Sequence, residues 1–421
     1  MAPLSSAETA APAEAARPRQ VDWRVAGPAL LLIVAGMVVI SEDASQRMAW
    51  LYLLGAALGL VLYHAAFGFA SAWRVFIAEG RGAGLRAQMV MLALASLLFF
   101  PLIHQGSFFG ETVGGGAVAP LGLSVAIGAA IFGIGMQLAG GCASGTLYTV
   151  GGGSTHMVFT LIFFMIGSLI GTLHMPWWIE TPSLGSISIL REWGLVPALS
   201  AQLAFLGAIA GLTLWVERRR RPADVLQEMP TRGWRQFIIS GSCISGPWPL
   251  IWGAVLLAVL NAVTLVAAGH PWTISFGYTL WAGKLASAAG VDLSAWAFWT
   301  WPFPSRALAG SVFESSTSVM NFGVIVGALL AAGLAGKFNP AWRLPWRKVL
   351  AAALGGLLMG YGARLAYGCN VGAYFSGVAS GSLHGWLWFA AGLGGSYLGN
   401  ALRPFFGLDG GRKPGARTRT A

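Results

Sequence analysis

GGCASGTLYTVGGGSTH, residues Gly140 to His156, sets one cysteine among glycines between two apolar runs. YGCNVGAYFSGVASGSLH, Tyr367 to His384, does the same in the other half of the chain. The chain has three cysteines in 421 residues, and two of them occupy these matching places. A shift of 227 residues lays Gly133, Gly135, Leu138, Ala139, Gly141, Cys142 and Gly145 on Gly360, Gly362, Leu365, Ala366, Gly368, Cys369 and Gly372. One inserted residue later, Ser154, His156, Gly167, Ser168 and Gly171 fall on Ser382, His384, Gly395, Ser396 and Gly399. A shared apolar composition would not align cysteine, histidine and so many glycines together, so the chain is internally duplicated. A weaker echo pairs Phe67-Gly68-Phe69 with Phe276-Gly277-Tyr278.

Of the 421 residues, 56% are hydrophobic and 10% charged, with mean hydropathy +0.67. An ordinary soluble domain carries about 25% charged residues, so the expected fold is an all-α polytopic membrane protein. Fifty-nine glycines suit close helix packing, and nineteen tryptophans suit the lipid–water boundary. The net charge of +11 does not point to nucleic acid, because the Arg and Lys cluster in loops, where they set orientation and meet anionic headgroups of the bilayer. Three cysteines without a CxxC pair make neither a disulfide framework nor a metal site.

The pattern divides the chain into an Ala/Pro-rich disordered tail (1–23), a first membrane half holding the Cys142 motif (24–216), a basic linker (217–235), a second membrane half holding the Cys369 motif (236–405) and a basic tail (406–421). The first span reads as Pro28 to Ile40, short for crossing alone. Arg218 to Arg221 mark the linker as cytoplasmic, and basic residues near both ends place the termini there too. Putting every basic loop on one side requires Trp272 to Ala289 to be re-entrant. The total is then about nine to eleven spans, with the two cysteine breaks in opposite orientations, the mark of an inverted repeat.

A helix broken inside a membrane exposes backbone groups that lipid cannot satisfy, so the break lies in protein or lines an aqueous cavity. Free N–H groups at a half-helix start attract anions, and glycine lets the backbone approach a ligand. Two such breaks at corresponding points of a repeat indicate a transport site. A neutral thiol is a weak donor with a soft, polarisable surface, suited to holding a soft sulfur anion loosely. The bland alternative is a small buried hydrophobe, which a duplicated cysteine in duplicated glycine breaks disfavours. The substrate-binding candidates are therefore Cys142 and Cys369, shaped by Gly140, Gly141, Gly145, Gly368 and Gly372. Arg364, five residues before Cys369, either draws the anion or reaches to the interface; Arg74 and Lys284 are the other cations near the apparent path. His156 and His384 are either proton-linked ligands or hydrogen-bonding residues at helix boundaries. Cys243 reads as a packing residue. No catalytic arrangement, nucleotide loop or cofactor signature is present in the sequence, so a transporter rather than an enzyme is expected, with no cofactor.

GMQLAGGCASGT (Gly135 to Thr146) and GYGARLAYGCNVGA (Gly360 to Ala373) resemble the two cysteine motifs of the YeeE/YedE family of sulfur-transport membrane proteins. HAAFGFASAWRVFIAEGRG (His64 to Gly82) resembles the family's looser N-terminal motif. The resemblance implies an hourglass-shaped helical permease of the inner membrane that takes thiosulfate along a relay of three cysteines. It also implies a TusA-type cytoplasmic sulfurtransferase as partner. The central and C-terminal relay cysteines fall on Cys142 and Cys369, but the N-terminal one falls on Gly68, a departure for which Cys243 is the available substitute. With GPWPLIWG at Gly246 to Gly253, the chain is similar to the longer branch of the family, where selenium-related and other sulfur cargo enter as alternatives. The expected function is import of a small sulfur-containing anion, thiosulfate first. The rival is a membrane module passing sulfur or selenium to a cytoplasmic carrier through persulfide chemistry.

Overall fold

The computed structural model describes residues 21–220, 242–341 and 343–408. Most of the expected N-terminal tail, of the basic linker and of the C-terminal tail lies outside those residues. The main helices are α1 (Trp23–Asp43), α2 (Gln46–Ala65), α3 (Phe69–Glu79), α4 (Ala83–Gln105), α5 (Leu123–Ala139), α6 (Ala143–Gly151), α7 (Thr155–Ile179), α8 (Leu195–Arg220), α9 (Leu250–Ala268), α10 (Ser275–Ala288), α11 (Ser316–Leu334), α12 (Trp346–Leu365) and α13 (Leu383–Leu402). Two short two-stranded ribbons lie in loops. Among the described residues, nine helical stretches are long and apolar enough to cross a membrane.

The first span is longer than Pro28 to Ile40. Asp22 caps α1 by accepting the Arg24 N–H at 3.0 Å, and the helix runs 21 residues, about 30 Å, enough to cross alone. α8 likewise continues through Glu217 to Arg220, residues whose charge reads as linker. Glu217 is buried and pairs with Arg86 of α4, and Arg219 lies 4.3 Å over the Trp215 ring, so the charges at this end have partners on the protein.

The duplication is built as an inverted pair. Cβ atoms placed on Gly128 and Gly135 of α5 would sit 2.8 Å from the Gly362 carbonyl and 2.6 Å from the Gly355 carbonyl of α12. The 227-residue shift converts one of these pairs into the other. Rising numbers on α5 meet falling numbers on α12, so the two matching helices run antiparallel. A two-fold relation between antiparallel membrane helices has its axis in the membrane plane. The relation extends outward: α5 packs on α13 as α12 packs on α7, and α4 packs on α9 as α11 packs on α2. These seams are lined by glycine and alanine, as expected where lipid offers no hydrophobic drive for helices to associate and close contact must replace it.

The basic loops gather at one end. Arg220 donates to the Ile77 carbonyl at 3.5 Å, Gly153 faces Phe338, and Arg403 donates to the Gln137 carbonyl at 2.7 Å. At the other end, Gly114 N–H donates to the Gly269 carbonyl and Ile189 N–H to the Gly381 carbonyl, and Glu42, Asp43, Glu180, Asp292 and Glu314 lie in its loops and helix ends. Exposed tryptophans flank both ends, Trp177 and Trp193 at one and Trp215 and Trp346 at the other. The expected re-entrant segment is present: the chain turns in after α9, reaches Asn261 through the Trp272 N–H at 3.1 Å, and leaves as the 14-residue α10, too short to cross.

Candidate functional site

Four short helices begin near the middle of the bundle: α3 after Gly68, α6 after Cys142, α10 after Ile274, and the turns Asn370–Phe375 and Ser376–Ala379 after Cys369. Their starts touch. The Phe69 amide faces the Cys142 sulfur, Tyr278 Oη donates to the Ala143 carbonyl at 2.9 Å, and Ser376 Oγ donates to the Trp272 carbonyl at 2.9 Å. α6 and the turn after Cys369 approach within 8 Å between Cα atoms. Each start presents backbone N–H groups and the positive end of a helix dipole. Converging four of them makes an electropositive centre without a formal charge.

Both cysteines occupy the N-cap position of their break. Cys142 Sγ accepts the Gly145 N–H at 3.4 Å and lies 3.3 Å from Ser144 Oγ. The Val371 and Gly372 amides face the sulfur of Cys369. Gly145 and Gly372 are matching residues of the repeat, and both cysteines hold the N-cap place, but only Cys142 makes a side-chain cap hydrogen bond. Cys142 is 1% exposed and Cys369 fully buried. The two thiols and the Tyr278 hydroxyl lie in one neighbourhood.

The candidate glycines divide into two kinds. Gly140 ends α5 at φ +81°, and Gly368 stands at φ +156° with its would-be Cβ 2.8 Å from the Ala373 nitrogen; both conformations need glycine. Gly145 and Gly372 have room. A Cβ on Gly145 would make ordinary contact with Cys142 Sγ at 3.4 Å, and one on Gly372 would contact Thr273 at 3.5 Å. A methyl group there costs little in folding and narrows the approach to the cysteine. Gly141 is intermediate, with Met157 Cε 3.0 Å from a Cβ.

A cavity of about 650 Å³ opens at the acidic end and reaches Gly368 and Gly372. His270, Thr273, Arg306, Glu314 and Arg364 line it as well. The guanidinium of Arg364 lies 5.1 Å over the Phe298 ring, and its Nε is buried without a hydrogen-bond partner. Arg364 thus comes together with the Cys369 break. Lys284 does not: its Nζ is held by the carbonyls of Leu308 and Gly310 at 2.9 and 2.6 Å. Asp292 is occupied too, capping a turn through the Ser294 N–H and hydroxyl, which hold its carboxyl below the usual range. A smaller cavity of about 240 Å³ opens at the basic end and reaches Gly68. The lining residues of that cavity do not include Cys243, which sits in the short turn Ser242–Ser245.

His156 and His384 repeat one local arrangement, Nδ1 on Ser154 Oγ at 3.0 Å and on Ser382 Oγ at 2.7 Å. This is hydrogen bonding at a helix start. Sequence reading missed Arg306, which lies in the short helix Pro302–Ala309 after a Trp/Pro stretch without a motif, and Tyr278, visible only in the weak Phe-Gly-aromatic echo.

The fold and these two cavities define a multi-pass membrane protein with re-entrant half-helices in an inverted repeat. The sequence profile of the sulphur transport family matches residues 64–398, and the chain belongs to that family. It is 28% identical over 368 residues to the thiosulfate transporter TsuA of Spirochaeta thermophila, covering 81% of this chain and 94% of that protein. It is 25% identical over 353 residues to the thiosulfate transporter TsuA of Escherichia coli, covering 80% and 88%. It is 31% identical over 163 residues to the probable transporter YedE of Escherichia coli, covering 38% and 39%.

Proposed function

We propose that this protein is a permease that imports a small sulfur-containing anion, thiosulfate first, along a path past Cys369 and Cys142. The observation that carries this reading is the pair of N-cap cysteines at converging half-helix starts, between cavities at opposite ends of the bundle. The names of the full-length relatives support thiosulfate as the anion. Under this reading the larger cavity is the entrance, and Arg364 and Arg306 draw the anion in. The basic end faces the cytoplasm of a cell whose inner membrane holds the protein, with both termini on that side. The protein moves its cargo without chemical conversion. A TusA-type sulfurtransferase is the expected acceptor at the basic end.

The rival reading, delivery of sulfur or selenium as a cysteine persulfide, requires a thiol that a cytoplasmic carrier can reach. The burial of Cys142 and Cys369 favours passage of the intact anion. Mass spectrometry of the purified protein should accordingly show both cysteines without added sulfur.

The direct test is uptake of radiosulfur-labelled thiosulfate into cells lacking their own sulfur-anion importers, with and without this chain. Uptake dependent on the chain is expected. A well-expressed chain without uptake overturns thiosulfate and directs the search to other sulfur or selenium anions. Arg364→Gln is expected to raise the concentration for half-maximal uptake about tenfold, the loss of one charged hydrogen bond to the anion. Arg364→Lys keeps the charge but loses the planar contact with Phe298 and should fall between the two.

A further inference from the structure

The wall of the larger cavity carries one histidine, and both of its ring nitrogens are engaged. His270 opens the re-entrant segment after α9 and is half-buried. Its Nδ1 lies 2.9 Å from the Pro271 carbonyl oxygen, and its Nε2 lies 2.9 Å from Ser316 Oγ. A carbonyl only accepts, so in the neutral ring Nδ1 carries the hydrogen and Nε2 accepts from the Ser316 hydroxyl. Ser316 is the first residue of α11 and lines the same cavity. Beside it, the Thr317 and Thr273 hydroxyls pair at 3.0 Å, and both residues stand on the wall.

A proton arriving at Nε2 reverses the bond to Ser316. The imidazolium donates at both nitrogens, Ser316 Oγ becomes the acceptor, and the hydroxyl hydrogen is released to another partner. One proton thus gives the wall a positive charge and a free O–H donor together. Histidine is the side chain whose charge ordinarily changes between about pH 5 and 8, whereas the wall arginines, Arg306 and Arg364, stay charged. Further charges stand on the elements around His270. Arg47 of α2 donates to the Ala267 carbonyl at 2.6 Å, and Glu314 is exposed before α11. Asp43 of α1 accepts the hydroxyl of Ser311 at 2.6 Å, and Glu111 is exposed on the ribbon that leads to Gly114 and its bond to Gly269. Both hydrogen-bond partners of the ring are neutral. A proton on it therefore has no hydrogen-bonded counter-ion until an anion enters the cavity.

We propose that the larger cavity takes up one proton with its anion, that His270 binds this proton, and that import is proton-coupled. The proposal rests on the permease reading and deepens it by naming the coupled ion. Under that reading the anion enters against an inside-negative potential, which opposes every negative charge moving inward. The sequence carries no nucleotide loop to supply the work. A proton moving with thiosulfate halves the charge that must cross. Anion and proton each strengthen the binding of the other, because such coupling is reciprocal.

The test reads the proton at the binding step, without relying on transport. Thiosulfate and sulfate carry no titratable proton near neutral pH, so any proton taken up on binding is held by the protein. Titration calorimetry of the purified protein at pH 7.5, in Mops and in Tris, gives the number of protons from the difference in heat. Wild type is expected to take up about one proton per thiosulfate. His270→Gln keeps a partner for Ser316, and His270→Asn keeps a donor for the Pro271 carbonyl. Either should bind thiosulfate about tenfold more weakly and take up no proton. Ser316→Ala should keep the proton and lose about fivefold in affinity, the worth of one hydroxyl donor. Thiosulfate uptake should be faster at pH 6 than at pH 8 in wild type and lose that difference in His270→Gln. Thiosulfate binding by wild type without proton uptake overturns the proposal and leaves the permease reading standing. Proton uptake that survives both His270 substitutions overturns the assignment to His270, and its loss in Glu314→Gln would give the proton to that carboxylate. Unchanged affinity in Ser316→Ala overturns the released hydroxyl. A folded protein that binds neither thiosulfate nor sulfate, in cells that show no uptake, overturns the permease reading for these anions and the coupling with it.

Discussion

Thiosulfate uptake is expected to fall by at least about tenfold in both Cys142→Ala and Cys369→Ala, the factor set by one lost hydrogen bond to a charged ligand. Each substitution removes one buried sulfur and keeps the backbone break, because the N-cap geometry is extended (φ −87° at Cys142 and −99° at Cys369) and open to alanine. The small void left behind costs folding about 1 kcal/mol, so membrane abundance should hold and the loss should be of transport. Cys→Ser separates donor from softness. A hydroxyl still donates but binds its neighbours harder, and partial uptake is the expected result. Full uptake by either alanine variant would take that thiol off the path. Full uptake by both would leave the glycine breaks and helix ends as the whole site.

The second large effect concerns packing. Gly133→Ala and Gly360→Ala are expected to lower the amount of folded protein in the membrane sharply. A Cβ on Gly133 would strike the Gly392 carbonyl and lie 2.9 Å from the Ser396 nitrogen. A Cβ on Gly360 would strike the Phe164 carbonyl and lie 2.6 Å from the Ser168 nitrogen. The obstacles are backbone, which cannot swing aside, so whole helices must part at a cost of about 1–3 kcal/mol each. Gly207 and Gly211 on α8 are the controls. No atom lies within 4 Å of a Cβ at either, and alanine there should be neutral or slightly stabilising. Thermal unfolding in detergent of the four variants checks the contrast. Equal stability of all four would remove the tight seams as the basis of the fold.

Much of this was readable from residues alone, for identifiable reasons. Low charge and high hydropathy gave the class, and the repeated Gly/Cys/His spacing gave the duplication because both copies needed the same break. The placement of basic loops required a re-entrant Trp272 to Ala289, and the chain does turn back there. The extent of α1 was less legible, because Trp23 to Gly27 and Ser41 to Asp43 look like flanks until Asp22 is seen to cap the helix. The cavities were least legible. Arg306 and His270 belong to no motif, and each acquires a neighbourhood only when loops and helices distant in sequence meet. Lys284 reads as a cation near the path, yet two carbonyls at the C-terminal end of the helix Pro302–Ala309 hold it.

The reciprocal seam between α5 and α12 bears on ancestry. Neither half covers the glycine face of its own central helix: Gly128 and Gly135 are covered by the second half, and Gly355 and Gly362 by the first. A half-length precursor on its own would have left an open groove of backbone facing lipid. It could bury that groove only by meeting another copy inserted upside down. An antiparallel pair of such precursors would cover both grooves, and it requires entry into the bilayer in both directions, with nearly balanced charge on the two sets of loops. A single chain needs no such balance, and it is free to load its basic residues onto the loops of one side.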